Sequence, residues 1–275
     1  MNQSQVDLEA FRNFEKTTHD KLAESYHDAF SAVTNRAIEP LLKAAHVTAG
    51  TRLLDVATGP GTLAAKAAER GARVIGIDIA PGMIGLAHAL HPHLDFREGN
   101  AEELPFDSSS FDAVVSGFGV GHFSRPERVV AEFARVLAPK GRVALTWWDG
   151  FGKNRINGVF FEAINELGVS ASGALPAGPA VDRFSDPDQF AAILRTAGFE
   201  VVGIDYISFL HPLQSVDELW DLALGSFVRV STVIRAQDAN IQQRIRQKVE
   251  QVTRQYASPN GLQIPIAFRV ITGVR

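Results

Sequence analysis

The chain has 275 residues, of which 45% are hydrophobic and 21% charged; its net charge is −4 and it contains no cysteine. That length and balance suit one large or two small globular domains with a real core, and the missing cysteines exclude disulfides and thiolate metal sites. The mild negative charge, without a basic stripe, argues against a nucleic-acid partner, and no apolar run reaches the roughly 18 residues of a membrane span. The opening "MNQSQVDLEAFRNFEKTTHD" has neither a basic n-region nor an apolar h-region, so the expectation is a cytoplasmic protein without a secretion signal.

Residues 1 to about 46 carry apolar side chains at helical spacing, Phe11 and Phe14, then Leu22, Tyr26 and Phe30, then Ile38, Leu41 and Leu42, which predicts two or three helices. From Arg52 short apolar runs alternate with helical stretches, the pattern of βα units and a parallel sheet. The expected strands are 52–57, "RVIGID", the short "LDFREG", "FDAVVSG" and "RVALTWW". The helices between them begin at Thr62, at Pro81 and at Pro126, the two prolines standing at first helical positions. "GVSASGALPAGPA" reads as a loop, and "FSDPDQFAAILRTAGF" as a helix with both caps written in. A sixth strand, "EVVGIDYISFL", is followed by helical spacing over about 215–257 and a closing strand, "LQIPIAFRVITGV". The expected architecture is α/β: a doubly wound, mostly parallel seven-stranded sheet with an antiparallel last strand. Helices 1–46 cover its ligand side, the core comprises 47–214 and 258–275, and 215–257 form a helical cap.

"LLDVATGPGT", Leu53 to Thr62, carries a buried strand into a glycine turn. Gly59 and Gly61 allow close approach of backbone to ligand, and a following helix N-terminus presents free N–H groups there. Asp78 ends the next strand 17 residues beyond Gly61, where a carboxylate can hold two ribose hydroxyls. Gly59-x-Gly61-x-x-Ala64 also satisfies the dinucleotide pattern. A nicotinamide-dependent oxidoreductase therefore remains open at this point. Against it stand Asp55, an acidic residue inside a buried strand, Pro60 stiffening the turn, and the absence of a catalytic Tyr-x-x-x-Lys.

Taken together, "LLDVATGPGTLA", "GARVIGIDIAPGMIGLA", "DFREGNAEELPFDSSSFDAVVS" and "RVLAPKGRVAL" resemble the class I S-adenosylmethionine-dependent methyltransferases over about residues 20–150, most nearly the small-molecule enzymes akin to the ubiquinone/menaquinone methyltransferases. The resemblance implies S-adenosyl-L-methionine as cofactor and S-adenosyl-L-homocysteine as product. It implies that Ala57, Thr58, Gly59 and Gly61 wrap the methionine part beside Asp55, that Asp78 holds the ribose, and that Ile79 and Met83 pack the adenine. Asn100 stands where the family usually has aspartate, and its amide oxygen would accept from the adenine amine beside Ala101 and Glu102. Ser116 and Phe118 would border the methionine end, and Tyr26 would lie over the cofactor from the N-terminal helices.

On the acceptor side, His122 in "GFGVGHFSRP" is the candidate general base, with Asp149 behind it. Trp147 and Trp148 end the fifth strand, and alternation along a strand lets at most one of them line a pocket. Trp220 and Arg229 of the cap, with Phe227, are candidate substrate contacts. "HALHPH" is read as a solvated cluster, and no metal site is expected. The expectation is methyl transfer to a small molecule, O or N favoured and C possible, by a monomer or homodimer with no nucleic-acid or membrane partner. The alternatives are the nicotinamide enzyme and a catalytically silent cofactor-binding protein.

Overall fold

A computed structural model describes residues 3–169, 175–180 and 182–275; part of the expected loop "GVSASGALPAGPA" lies outside them. The N-terminal helices are one long α1 (Gln3–Thr34), a 3₁₀ turn and α2 (Ile38–Ala44). The βα units follow as β1 (Arg52–Val56), α3 (Thr62–Glu69), β2 (Arg73–Asp78), α4 (Pro81–Leu90), β3 (Asp95–Glu98), β4 (Phe111–Ser116), α5 (Pro126–Val136) and β5 (Leu137–Trp148). The remainder is α6 (Arg155–Glu166), α7 (Pro187–Thr196), β6 (Glu200–Leu213), α8 (Val216–Ser226), α9 (Val228–Arg235), α10 (Ala239–Thr253), a two-residue β7 (Ala257–Ser258) and β8 (Gly261–Val274).

The sheet order is β3-β2-β1-β4-β5-β8-β6, with β7 paired onto β8. β1 to β5 run parallel, while β8 is antiparallel to both β5 and β6. The order reverses direction between β1 and β4, so the carboxyl ends of those two strands flank the crevice where ligands bind in open α/β sheets. β1 and β4 are each buried at every position but one, as central strands covered by helices on both faces should be. α5 turns Val129, Val130, Phe133 and Val136 into that core. In α7 the capping residue is Asp186, which accepts from the backbone N–H groups of Asp188 and Gln189; the neighbouring Ser185 hydroxyl instead donates to the Trp148 carbonyl.

β6 and β8 have 14 residues each, against 5 or 6 in β1, β2 and β4, so their far halves project beyond the parallel core. There a second apolar cluster forms from Leu213, Leu262, Ile264 and Ile266 together with α6, α8, α9, α10 and the end of α1. α6 is the one long helix that the sequence analysis leaves unassigned. Ile156, Val159, Phe160, Ala163 and Ile164 fall on its buried face, and Gly158 interrupts the pattern because a Cβ there would strike the Phe151 carbonyl.

Candidate active site

A cleft opens over the carboxyl ends of β1, β2, β4 and β5, walled by α1 and by the segment joining α8 and α9. The glycine turn forms its floor. Ala57, Gly59 and Gly61 all have positive φ, at 56°, 53° and 79°, which reverses the chain sharply after β1. Thr58 N–H donates to the Ile77 carbonyl at 2.9 Å and ties the turn to β2. Ala57, Thr58 and Gly59 line the cleft. Gly61 does not: it faces the far side, where a Cβ would press into the Phe96 ring.

Two carboxylates flank this turn. Asp78 accepts from Gly59 N–H and Ala80 N–H, both at 2.9 Å, and burial pushes its carboxyl up despite those bonds and the nearby His19. Asp55 is 1% exposed and accepts from the Thr58 hydroxyl at 2.7 Å; burial pushes its carboxyl up to about 7. Between Asp55 and Leu63 the chain carries no basic residue. A cationic group fits this corner, whereas a pyrophosphate would have two acids beside it and no basic residue within the turn, only the helix N-terminal N–H groups, to offset them.

Ile79, Met83, Asn100, Ala101 and Glu102 also line the cleft, and Met83 packs with Ala23 and Tyr26 of α1. The Tyr26 phenol is pushed up to about 12 by burial. The Asn100 amide oxygen accepts from the Glu102 N–H at 3.0 Å, so one of its lone pairs is engaged within the chain. The Glu102 carboxylate is likewise engaged, by the Ser124 hydroxyl and by Arg12 and Arg125, each at 3.5 Å. Its role is to tie α1 to the segment after β4.

Ser116 is wholly buried beneath Gly119 and stands behind the lining, which Gly117, Phe118 and Gly119 supply instead. Phe118, at φ 59°, stacks on Trp148 with ring centroids 3.9 Å apart. Both tryptophans border the cleft, contrary to the alternation argument. The segment after β4 folds over the end of β5, so Trp147 meets it beneath Gly121 and His122 while Trp148 meets it at Phe118. Asp149 lines the cleft but is held by Arg269 at 3.0 Å and by Gly150 N–H, an arrangement that suits an anchor better than a base.

Trp220 lies outside the cleft, 7% exposed in the second cluster against Phe160, because it sits on the face by which α8 docks. Arg229 does reach the cleft; burial holds its guanidinium below the ordinary range, and it sits over the Phe11 ring at 5.2 Å.

Sequence reasoning missed Glu15 and His19. They lie on the α1 face that continues through Tyr26 and Phe30 at helical spacing, and that periodicity was the available signal. Glu15 Oε2 is 2.9 Å from His122 Nδ1. Burial alone would raise the Glu15 carboxyl, but the facing His122, with His19 and Arg229, holds it below the usual carboxylate range. Burial, and then His122, holds His19 below the ordinary imidazole range. Of "HALHPH", His88 bonds the Phe96 carbonyl and His91 packs against the Phe96 ring; among the described residues the converging metal-type group is Glu15, His19 and His122 instead.

Residues 54–145 match the methyltransferase domain family. The ubiquinone/menaquinone biosynthesis C-methyltransferase UbiE of Rhizobium etli is 30% identical over 215 residues, 72% of this chain and 79% of that protein. The phosphoethanolamine N-methyltransferase 2 of Haemonchus contortus, solved in complex with phosphomonomethylethanolamine and S-adenosylhomocysteine, has the same fold, with a TM-score of 0.58 at 19% identity over 96% of this chain and 60% of that one. The chain belongs to the class I S-adenosylmethionine-dependent methyltransferases. Within them it is similar to the demethylmenaquinone methyltransferase of Chlorobaculum tepidum, 36% identical over 165 residues; that stretch is 54% of this chain and 65% of the relative's length.

Proposed function

We propose that the protein transfers a methyl group from S-adenosylmethionine to a small, flat, hydroxyl-bearing ring compound. The observation that carries the cofactor reading is the pair of buried acids, Asp55 and Asp78, at a glycine turn that has no basic residue of its own. Asp78 would hold the ribose hydroxyls, the Ala57–Gly59 turn the methionine part, and Ile79 and Met83 the adenine. When bound, the cofactor supplies a methyl group already activated on a sulfonium. The chain's own task is then alignment, exclusion of water and removal of the acceptor's proton.

The acceptor reading rests on the aromatic walls beyond that turn. Phe30, Phe118, Trp148 and Phe227 line the cleft, and their rings pack on one another at 3.9–5.7 Å. Such walls suit a planar ring, and the names of these relatives point to quinone precursors as ring compounds of this kind. His122 is the proposed base. A phenolate is nucleophilic at oxygen and at ring carbon, so the same first deprotonation opens either route; on the carbon route the methylated carbon must afterwards lose its hydrogen as a proton while the oxygen regains one.

The test is calorimetric titration of the protein with S-adenosylhomocysteine and, separately, with NADH. Micromolar binding of the first and none of the second is expected. The reverse result would return the glycine turn to a dinucleotide and overturn the proposal.

A further inference from the structure

Glu15 is the most deeply buried ionisable group of α1 within the cleft, 3% exposed, yet its Oε1 has no hydrogen-bond partner. Its other oxygen faces His122 Nδ1. One turn along α1, His19 Nδ1 lies 2.9 Å from the Glu15 backbone carbonyl, and the His19 ring meets His122 edge-on at 4.8 Å. Trp147 closes another side of His122 at 5.5 Å. The His122 side chain is 33% exposed and borders the cleft.

These contacts settle which nitrogen carries each proton. A carboxylate can only accept, so His122 Nδ1 must donate to Glu15, and the neutral ring then has its lone pair on Nε2. A backbone carbonyl also only accepts, so His19 donates through its own Nδ1.

Resting on the function proposed above, we infer that Glu15 is a positioning residue: it fixes His122 in the tautomer whose bare Nε2 takes the acceptor's hydroxyl proton, so the acceptor is a compound that must lose a proton. In that step the O–H proton moves to Nε2. The oxygen, or a ring carbon conjugated with it, forms its bond to the methyl carbon as the C–S bond breaks, and that electron pair goes to sulfur; on the carbon route the methylated carbon then gives up its hydrogen as a proton and the oxygen regains one, which restores the aromatic ring. His122 is left as an imidazolium paired with the Glu15 carboxylate, and its proton then passes to water. His19 Nδ1 lies 3.5 Å from the same Glu15 oxygen but is closer, at 2.9 Å, to the Glu15 backbone carbonyl, so His122 is the nearer partner of the carboxylate.

The same three side chains also offer ligand atoms within 4.8 Å of one another, and two imidazoles with a carboxylate are a known donor set for iron and zinc. The Arg229 guanidinium on α9 acts on Glu15 from the cleft and, with a sulfonium cofactor, opposes a dication there. The geometry favours a proton.

The experiment is long-range ¹H–¹⁵N correlation of the histidine rings at pH 8 in the wild type, Glu15→Gln and Glu15→Leu. In the wild type His122 should show a protonated Nδ1 and a bare Nε2. Glu15→Gln, whose amide oxygen still accepts, should keep that tautomer, and Glu15→Leu should lose it. A wild-type His122 protonated on Nε2 instead, or a tautomer unchanged in Glu15→Leu, would overturn the inference. So would stoichiometric uptake of Zn²⁺ by the wild type that disappears in Glu15→Gln, which would make the cluster a metal site. Binding of S-adenosylhomocysteine is a separate measurement on the wild type. Binding with the wrong tautomer removes only the role of Glu15, whereas no binding removes the methyltransferase reading itself.

Discussion

Asp78 carries two loads, since the carboxylate placed to hold a ribose also anchors Gly59 and Ala80 by their N–H groups. Asp78→Ala should therefore weaken S-adenosylhomocysteine binding by about 1–3 kcal/mol, the scale for losing bonds to a charged acceptor; calorimetric titration of the variant measures it, and unchanged affinity would refute the placement. Asp55 gives a pH prediction. Its folded carboxyl titrates near 7, against an ordinary aspartate near 4 in the unfolded chain. The native state therefore binds the extra proton more tightly, and this group's contribution is fully present below about pH 4 and lost as pH rises through about 7. Thermal unfolding midpoints of the ligand-free protein should fall between pH 6 and pH 8. In Asp55→Asn, which cannot ionise, that fall should be visibly smaller.

At the scale of elements, α1 joins two cores. Its middle packs on the glycine-turn side through Tyr26 and Met83, and its end enters the second cluster through Phe30 and Val33. Phe30 is 4% exposed and touches Tyr26, Trp148 and Phe227, which come from three different parts of the chain. Truncating it leaves a cavity that no single element can collapse to fill. Phe30→Ala should cost about 3–5 kcal/mol in a urea-unfolding measurement, far beyond the effect of trimming a helix that merely covered the sheet. The loop after β4 is an element in the same sense: Gly121 is glycine because a Cβ there would fall inside the Trp147 ring, and that close approach is what sets His122 against Glu15.

For the whole molecule, the cleft is assembled from α1, four strand ends and the α8–α9 joint, so a ligand filling it should stabilise the fold as a unit. S-adenosylhomocysteine at about one hundred times its dissociation constant should add about 2.7 kcal/mol and raise the unfolding midpoint by roughly 5–10 °C. NADH at the same concentration should leave the midpoint where it is; differential scanning calorimetry decides. Among the described residues no helix is long and apolar enough to cross a membrane.

Much of the architecture was legible in the amino-acid sequence because local rules decide it. Alternating apolar periods set the order of strands and helices, the prolines at 81 and 126 marked two helix starts, and a positive-φ turn needs glycine at 59 and 61. The candidate cofactor corner was legible for the same reason, since Asp55, Gly59 and Asp78 lie at the ends of adjacent strands that the pattern already pairs. What only the tertiary structure decided is which distant residues meet. Trp220 obeys the same helical spacing whether it faces a substrate or a neighbouring helix, and the docking of α8 on Phe160 turned it inward. Glu15 and His122 are 107 positions apart, and nothing in either local stretch pairs them. Their contact exists because α1 passes beside the segment after β4, and the course of that helix is set by its packing against α4, α8 and α9.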